Sequence, residues 1–387
     1  MRLVSLPRVV LCAGLACASS LVLATPGTAA VRAGSDGEAG PVGGAQMASR
    51  GVVVDAQSRF AKPPVVVASS WVIADLDSGD VLAARNPHGR FAPASTLKTL
   101  TAVTFIPRMD PDQLILVPYE AGAVDGTKVG VVPGGKYPVR ELMMSMLIVS
   151  ANDSATTIAS AQQPLSEGLK LMNEEAARLH ARDTFARNPS GLDAKGQLSS
   201  SYDLALIGRA GMNMPEFRRY VSTKRSSISA PKKKRYEIYT HNHLLLNYPG
   251  TLGIKNGYTV AAKASFVGAA ERGGHRLIVA LMHGTPLLWK EAARLLNWGF
   301  AVDGRIAPVG RLVDPAPMPG DELATGAPPG GVSASTARPA SGGLDLPVAP
   351  LVAAGAVVLL FAALRLRARR RRGHRFRSRS KFSLPPL

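Results

Sequence analysis

Residues 91–103 read FAPASTLKTLTAV, a proline-led start to an apolar helix that sets Ser95 and Lys98 three positions apart. Positions i and i+3 of a helix share a face, so the Lys98 side chain reaches the Ser95 hydroxyl while Leu97 and Leu100 turn into a core. Pro93 favours a helix start here, and a helix N-terminus stabilises a developing alkoxide or oxyanion. A serine hydroxyl is a poor nucleophile until a base takes its proton, and a lysine desolvated in an apolar pocket is neutral enough to serve. Taken alone, the pair fits an ordinary helix with a surface lysine better than a catalytic pair.

Upstream, VVVASSWVIADLDSGDVLAARNP places two apolar runs around Asp77-Ser78-Gly79-Asp80, the turn chemistry of a β-hairpin. Downstream, VRELMMSMLIVSANDSATTIASA has the length and apolar face of a buried helix or helix pair, broken by the polar island Ser150 to Asp153. The stretch TLGIKNGYTVAAKASFVGAAERGGHRLIVALM alternates and breaks at Gly-Gly, which predicts two or three antiparallel strands. LLWKEAARLLNWGFA then has helical spacing. Strands at both ends of a helical centre predict an α+β (mixed) domain over roughly residues 64–313, its terminal strands sharing one sheet.

Two further elements are chemically interesting. Ser150-Ala151-Asn152 puts polar groups into an apolar run where they need partners; the alternative is a helix boundary capped by Ser150 or Asp153. Lys255-Asn256-Gly257, followed by Tyr258 and Thr259, falls on a predicted strand, where the lysine suits a substrate carboxylate and the glycine a close approach to the strand edge. The alternative there is an Asn-Gly turn.

Taken in order, Ser-Thr-Leu-Lys at 95–98, Ser-x-Asn at 150–152 and Lys-x-Gly at 255–257 resemble the signature of active-site-serine penicillin-recognising enzymes. With VPGGKYPVRELMMSMLIVSANDSA, FARNPSGLDAKGQLSSSYDLALI and LLLNYPGTLGIKNGYT, the likeness spans most of residues 70–285 and is to the low-molecular-mass penicillin-binding proteins of the D-alanyl-D-alanine carboxypeptidase group. The resemblance implies a β-lactamase/transpeptidase-like fold, a five-stranded antiparallel sheet flanked by helices, with a mainly helical subdomain. It implies Ser95 as nucleophile, Lys98 as general base, Ser150 as proton shuttle and Asn152 as their organiser. Lys255, Asn256, Gly257, Tyr258 and Thr259 are implied to bind substrate, the backbone N–H groups of Ser95 and Tyr258 forming the oxyanion hole. Peptidoglycan stem peptides ending in D-Ala-D-Ala are the implied substrates, β-lactam antibiotics the implied covalent inhibitors, and no metal or other cofactor is called for. Relatives usually carry Thr or Ser at the position of Asn256, whose hydroxyl helps bind the terminal carboxylate. Asn256 therefore keeps open a binding module that grips cell-wall peptide without hydrolysing it, and a β-lactamase, which shares the three motifs, is a second rival.

The ends of the chain concern location. Cys12 and Cys17 are the two cysteines, and both lie in VVLCAGLACASSLVLA, between Arg2, Arg8 and the small residues TPGTAA, which predicts a signal peptide over residues 1–30. Residues 31–63 suggest a flexible leader and residues 314–345 a Pro/Gly/Ala-rich stalk. Residues 346–364 carry no charge over a length near that needed to span a bilayer, so a transmembrane helix is expected. Of the formal net charge of +19, ten belong to Lys and Arg in the tail 365–387, leaving +9 for all that precedes it. Beside a span, that tail predicts a cytoplasmic C-terminus with contact to membrane lipid, no nucleic acid partner, and a catalytic domain outside a bacterial cell membrane. The pair His241 and His243 lacks a third ligand for zinc.

Overall fold

A computed structural model describes residues 40–317, apart from residues 61, 162 and 231–233. The strands are β1 (Val52–Val54), β2 (Ser70–Asp75), β3 (Asp80–Arg85), β4 (Leu114–Leu116), β5 (Lys136–Pro138), β6 (Arg225–Ala230), β7 (Lys234–Tyr239), β8 (Thr251–Thr259), β9 (Lys263–Arg272), β10 (His275–Gly284) and β11 (Gly310–Arg311). Between them run α1 (Lys98–Phe105), α2 (Tyr119–Ala123), α3 (Val139–Ile148), α4 (Asn152–Ala159), α5 (Leu165–Arg178), α6 (Ser201–Met212), α7 (Pro215–Val221), α8 (His243–Asn247) and α9 (Leu288–Val302).

The predicted α+β arrangement holds, with one correction. The main sheet has seven strands, not five, in the order β1-β3-β2-β10-β9-β8, with β11 also on β3. The two additions share one edge: Val52–Val54 pair with Ala83–Arg85, and Gly310 and Arg311 pair with Val81 and Asp80. An unpaired edge is a row of free N–H and C=O groups, and two short segments cover that of β3. The first comes from the stretch expected to be a leader, so ordered structure begins before residue 64, and Met47 is wholly buried. At the other end, Arg209 donates to Asp314 Oδ1 at 2.8 Å and Ala316 N–H donates to the Arg178 carbonyl at 2.8 Å, so the first residues assigned to the stalk are packed on the domain.

The predicted hairpin is β2–β3, with Gly79 at φ +82° in its turn, a conformation that suits glycine. The expected helix or helix pair is the pair α3 and α4, and the expected two or three strands are the three strands β8, β9 and β10. Strand β10 explains its own unbroken apolar run: Ile278, Ala280 and Met282 join the core beneath the helical part of the domain, while Leu277, Val279 and Leu281 face α9. On α9, Leu288, Ala292, Leu295, Leu296 and Val302 form the buried stripe that covers that face of the sheet. Among the described residues no helix is long and apolar enough to cross a membrane. The expected signal peptide, nearly all of the stalk, the span and the basic tail lie outside the described residues.

Candidate active site

Ser95 sits in a tight 3-10 turn, Ala94–Leu97, that runs into α1 at Lys98, so the helix expected to begin at Ser95 begins one turn later. Ala94 has a positive φ of 48°, and the turn is clamped on several sides. Thr96 Oγ1 and Ser265 Oγ, the latter from β9, both donate to the Pro93 carbonyl, at 2.6 and 2.5 Å. A methyl group on Gly257 of β8 would lie 2.6 Å from Ser95 N, and one on Gly191 would overlap the Ala94 carbonyl oxygen. Glycine at both positions lets a strand edge and a loop close on the serine backbone. Ser95 itself keeps a partly exposed side chain.

Lys98 is wholly buried. Its Nζ lies 3.0 Å from Ser95 Oγ, 2.7 Å from Asn152 Oδ1 and 2.6 Å from the Ser190 carbonyl oxygen. The Asn152 amide orientation follows from its other end, where Nδ2 donates to the Asp125 carbonyl at 2.7 Å. Burial first, and then the charge of Lys255, hold Lys98 well below the usual lysine range, against a smaller opposing pull from Asp153. A neutral amine has two hydrogens and one lone pair. Asn152 Oδ1 and the Ser190 carbonyl can only accept, so they take both hydrogens, and the lone pair is left for the Ser95 hydroxyl.

The remaining predicted residues fall around this trio. Ser150, buried and at φ 67°, forms the left-handed corner between α3 and α4 that swings Asn152 onto Lys98. Lys255 is within a strand, not in an Asn-Gly turn; it is wholly buried, its Nζ donates to the Asn256 carbonyl at 2.7 Å, and desolvation lowers it to about 7. Hydrogen bonds thus join Ser95, Lys98 and Asn152 directly, while Lys255 acts on Lys98 through its charge. Asn256 is half-buried and Tyr258 exposed on the same strand. Thr259 points its hydroxyl to Asp193 Oδ1 at 2.7 Å and so ties β8 to a neighbouring loop.

That loop is what sequence reasoning missed. Asn188 Oδ1 accepts from Ser190 N and Oγ at 3.2 and 3.1 Å and from Gly191 N at 2.8 Å, shaping the turn that presents the Ser190 carbonyl to Lys98. Thr101, one turn along α1 from Lys98, donates to the Pro189 carbonyl at 2.7 Å. The signal was present in the Asn-Pro-Ser-Gly stretch at 188–191, whose side-chain-to-backbone turn chemistry is readable in sequence. Asp153 is a second omission; its carboxylate accepts from the N–H groups of Val129, Gly130 and Val131 at 3.3, 2.8 and 3.1 Å and pins a loop across the start of α4.

Among the described residues one group has metal-ligand character, His88 with Asp183 and Asp203. Both His88 ring nitrogens are already engaged, by Asp183 at 2.7 Å and by the Val42 carbonyl at 3.0 Å. The group therefore reads as a latch for the N-terminal segment.

With this geometry in view, the model of the D-alanyl-D-alanine carboxypeptidase family, peptidase S11, matches residues 57–285. The chain belongs to this family. It is 39% identical over 252 residues to D-alanyl-D-alanine carboxypeptidase DacB2 of Mycobacterium tuberculosis, covering 63% of this chain and 86% of that one. DacF of Bacillus subtilis is 28% identical over 242 residues, 60% of this chain and 62% of its own length. Among solved structures, a D-alanyl-D-alanine carboxypeptidase from M. tuberculosis H37Rv superposes with a TM-score of 0.64 at 38% identity, covering 67% of this chain and 99% of that one. The Streptomyces K15 DD-transpeptidase shares the fold, with a TM-score of 0.59 at 23% identity over 62% of this chain and 100% of that one.

Proposed function

We propose that this chain is a serine-type D-alanyl-D-alanine carboxypeptidase that removes the terminal D-alanine of peptidoglycan stem pentapeptides through an acyl-serine intermediate. The observation that carries the reading is the Lys98 amine, buried and bonded to two acceptors so that its lone pair faces Ser95.

Lys98 takes the Ser95 proton as Oγ attacks the carbonyl of the penultimate D-alanine. The backbone N–H groups of Ser95 and Tyr258 receive the oxyanion, with Gly257 allowing the strand its close approach to the serine. Ser150 relays the proton to the nitrogen of the leaving D-alanine, whose carboxylate is drawn to Lys255 and Asn256. Water then hydrolyses the acyl-enzyme. Asn152 holds Lys98 in register throughout. β-Lactam antibiotics acylate the same serine.

The reading of the ends completes the proposal. Residues 1–30 export the chain, residues 346–364 anchor it in a bacterial cell membrane, and the tail 365–387 stays in the cytoplasm against lipid, with the catalytic domain outside. Asn256 favours a second reading, a module that binds cell-wall peptide without turnover, because an amide replaces a hydroxyl where the terminal carboxylate binds.

Time-resolved intact mass of the full chain with benzylpenicillin, beside Ser95→Ala and a D-alanine release assay, separates these. A lasting adduct absent from Ser95→Ala, together with D-alanine release, is the expected result. An adduct without release leaves the binding module, an adduct lost in seconds leaves a β-lactamase, and no adduct defeats the acyl-serine mechanism.

A further inference from the structure

Asp203 is a wholly buried acid in the first turn of α6. Stripping a carboxylate of water is costly unless its hydrogen bonds offset the loss. Burial pushes its pKa up to about 7, against the pull of bonds from Thr184 and Asp183. Those bonds all fall on one oxygen: Oδ2 accepts from Asp183 N–H at 2.8 Å and from Thr184 Oγ1 at 2.7 Å, while Oδ1 has no hydrogen-bond partner among the described residues. Thr184 Oγ1 also lies 2.9 Å from Ser199 Oγ. The threonine has one hydroxyl hydrogen and gives it to the carboxylate, so Ser199 donates to Thr184.

Asp183 and Ser199 are the two ends of the loop that carries Asn188 and Ser190, and Phe185 N–H, donating to the Leu198 carbonyl at 2.9 Å, draws those ends together. Ser199 also exchanges both backbone bonds with Phe91, each at 2.9 Å, and Phe91 opens the run that leads to Ser95. At its far end the same loop meets that run again, where Gly191 packs on the Ala94 carbonyl. The loop is therefore braced against the Ser95 segment at both ends, and a buried carboxylate fixes its base.

We propose that Asp203 is a positioning residue for the acylation of Ser95: it closes the 183–199 loop onto the Phe91–Ser95 run and so holds the Ser190 carbonyl on Lys98. The role in acylation rests on the active-site reading given above, but the bracing of the loop does not.

The test is the rate at which benzylpenicillin labels Ser95 of the full chain, followed by intact mass over a series of pH values, with hydrogen exchange on the same chains. Asp203→Leu removes both acceptor bonds and should slow labelling by about tenfold to a hundredfold. The pH profile separates positioning from damage. The Ser190 carbonyl favours the ammonium form of Lys98, so its withdrawal lowers the lysine and moves the rise of the rate to lower pH. A purely structural loss reduces the labelled fraction and leaves the profile in place. Asp203→Asn keeps an oxygen for both bonds and should keep the unaltered rate and profile. Thr184→Val cuts only the link to Ser199; it should slow labelling and move the profile in the same direction by less, and quicken exchange at residues 183–191 but not in α9. It decides the matter where Asp203→Leu fails to fold. An unmoved profile or unchanged loop exchange in Thr184→Val overturns the proposal, as does an Asp203→Asn variant as slow as Asp203→Leu. When the unaltered chain is labelled and the variants match it, this proposal alone falls; when the unaltered chain is not labelled, the active-site reading falls and takes the role in acylation with it.

Discussion

Replacing Asn152 with Asp changes one atom of the bond that organises the site and reverses its electrostatics. Asn152 Oδ1 lies 2.7 Å from Lys98 Nζ. A full negative charge at that distance interacts with an ammonium by roughly 6 kcal/mol at an effective dielectric near 20, about 4 pKa units. Part of this is offset because the second Asp oxygen would face the Asp125 carbonyl, which now accepts from Nδ2. A rise of at least ~3 units is the net expectation. The sign follows directly: a carboxylate favours the ammonium, so the free amine that takes the Ser95 proton appears only at higher pH. Acylation by benzylpenicillin should fall at pH 7, by up to about a thousandfold, and recover by up to tenfold per pH unit toward alkaline solution. Intact mass measured at a series of pH values reads this rate. Asn152→Leu serves as the uncharged control: it removes the acceptor, so its profile should drop without moving upward in pH. If Asn152→Asp acylates at the wild-type rate at pH 7, or is slowed equally at every pH, the neutral lysine is not the base and the reasoning is refuted.

Lys255 gives a stability counterpart. Its folded pKa of about 7 lies below the ordinary 10.5, so the buried ammonium destabilises the fold fully below pH 7, and the penalty fades between about 7 and 10.5. Lys255→Met should therefore stabilise by up to ~5 kcal/mol at pH 6 and by far less at pH 10.5; a gain in denaturation midpoint that is no larger at the acid pH sinks the assignment. Gly191→Ala places a methyl against the Ala94 carbonyl at a φ of +83° and should cost about 2–4 kcal/mol and impair labelling of Ser95, with unchanged stability and labelling counting against the clamp. Asn256→Thr puts a hydroxyl beside Lys255 and should lower KM for D-Ala-D-Ala peptides severalfold with little change in kcat; an unchanged KM means that position 256 does not touch the carboxylate.

The fold was legible where periodicity is strong. The hairpin at 70–85, the helix pair around Ser150 and the three strands between Thr251 and Gly284 follow from alternation, helical spacing and turn residues, and each stands where expected. The two edge strands were not legible, because Val52–Val54 and Gly310–Arg311 are too short to carry a period and take their conformation from β3. The site divides in the same way. Ser95, Lys98, Asn152 and Lys255 announce themselves as polar groups in apolar surroundings. The Ser190 carbonyl cannot, since a backbone oxygen has no signature in sequence and only the turn built by Asn188 aims it at Lys98. The tie between Thr259 and Asp193 was hidden for a related reason: loop-to-strand distances of that kind are set by tertiary packing.

Two lysines buried in one site raise the question of which carries the proton. Both are stripped of water, and the charge of Lys255 depresses Lys98, so the doubly protonated site is disfavoured and the pair titrates jointly. The partners differ in a way that assigns the roles. Lys98 faces two oxygens that can only accept, and these consume the hydrogens of a neutral amine and leave its lone pair for Ser95. Lys255 has one such bond, to the carbonyl of the next residue in its own strand, and keeps donors for an incoming anion. In the mechanism proposed above, a substrate carboxylate arriving beside Lys255 would stabilise the ammonium there, and that ammonium would hold Lys98 neutral. Binding of the peptide terminus thereby prepares the base, which gives a physical reason for a site of this kind to act on peptides that end in a free carboxylate.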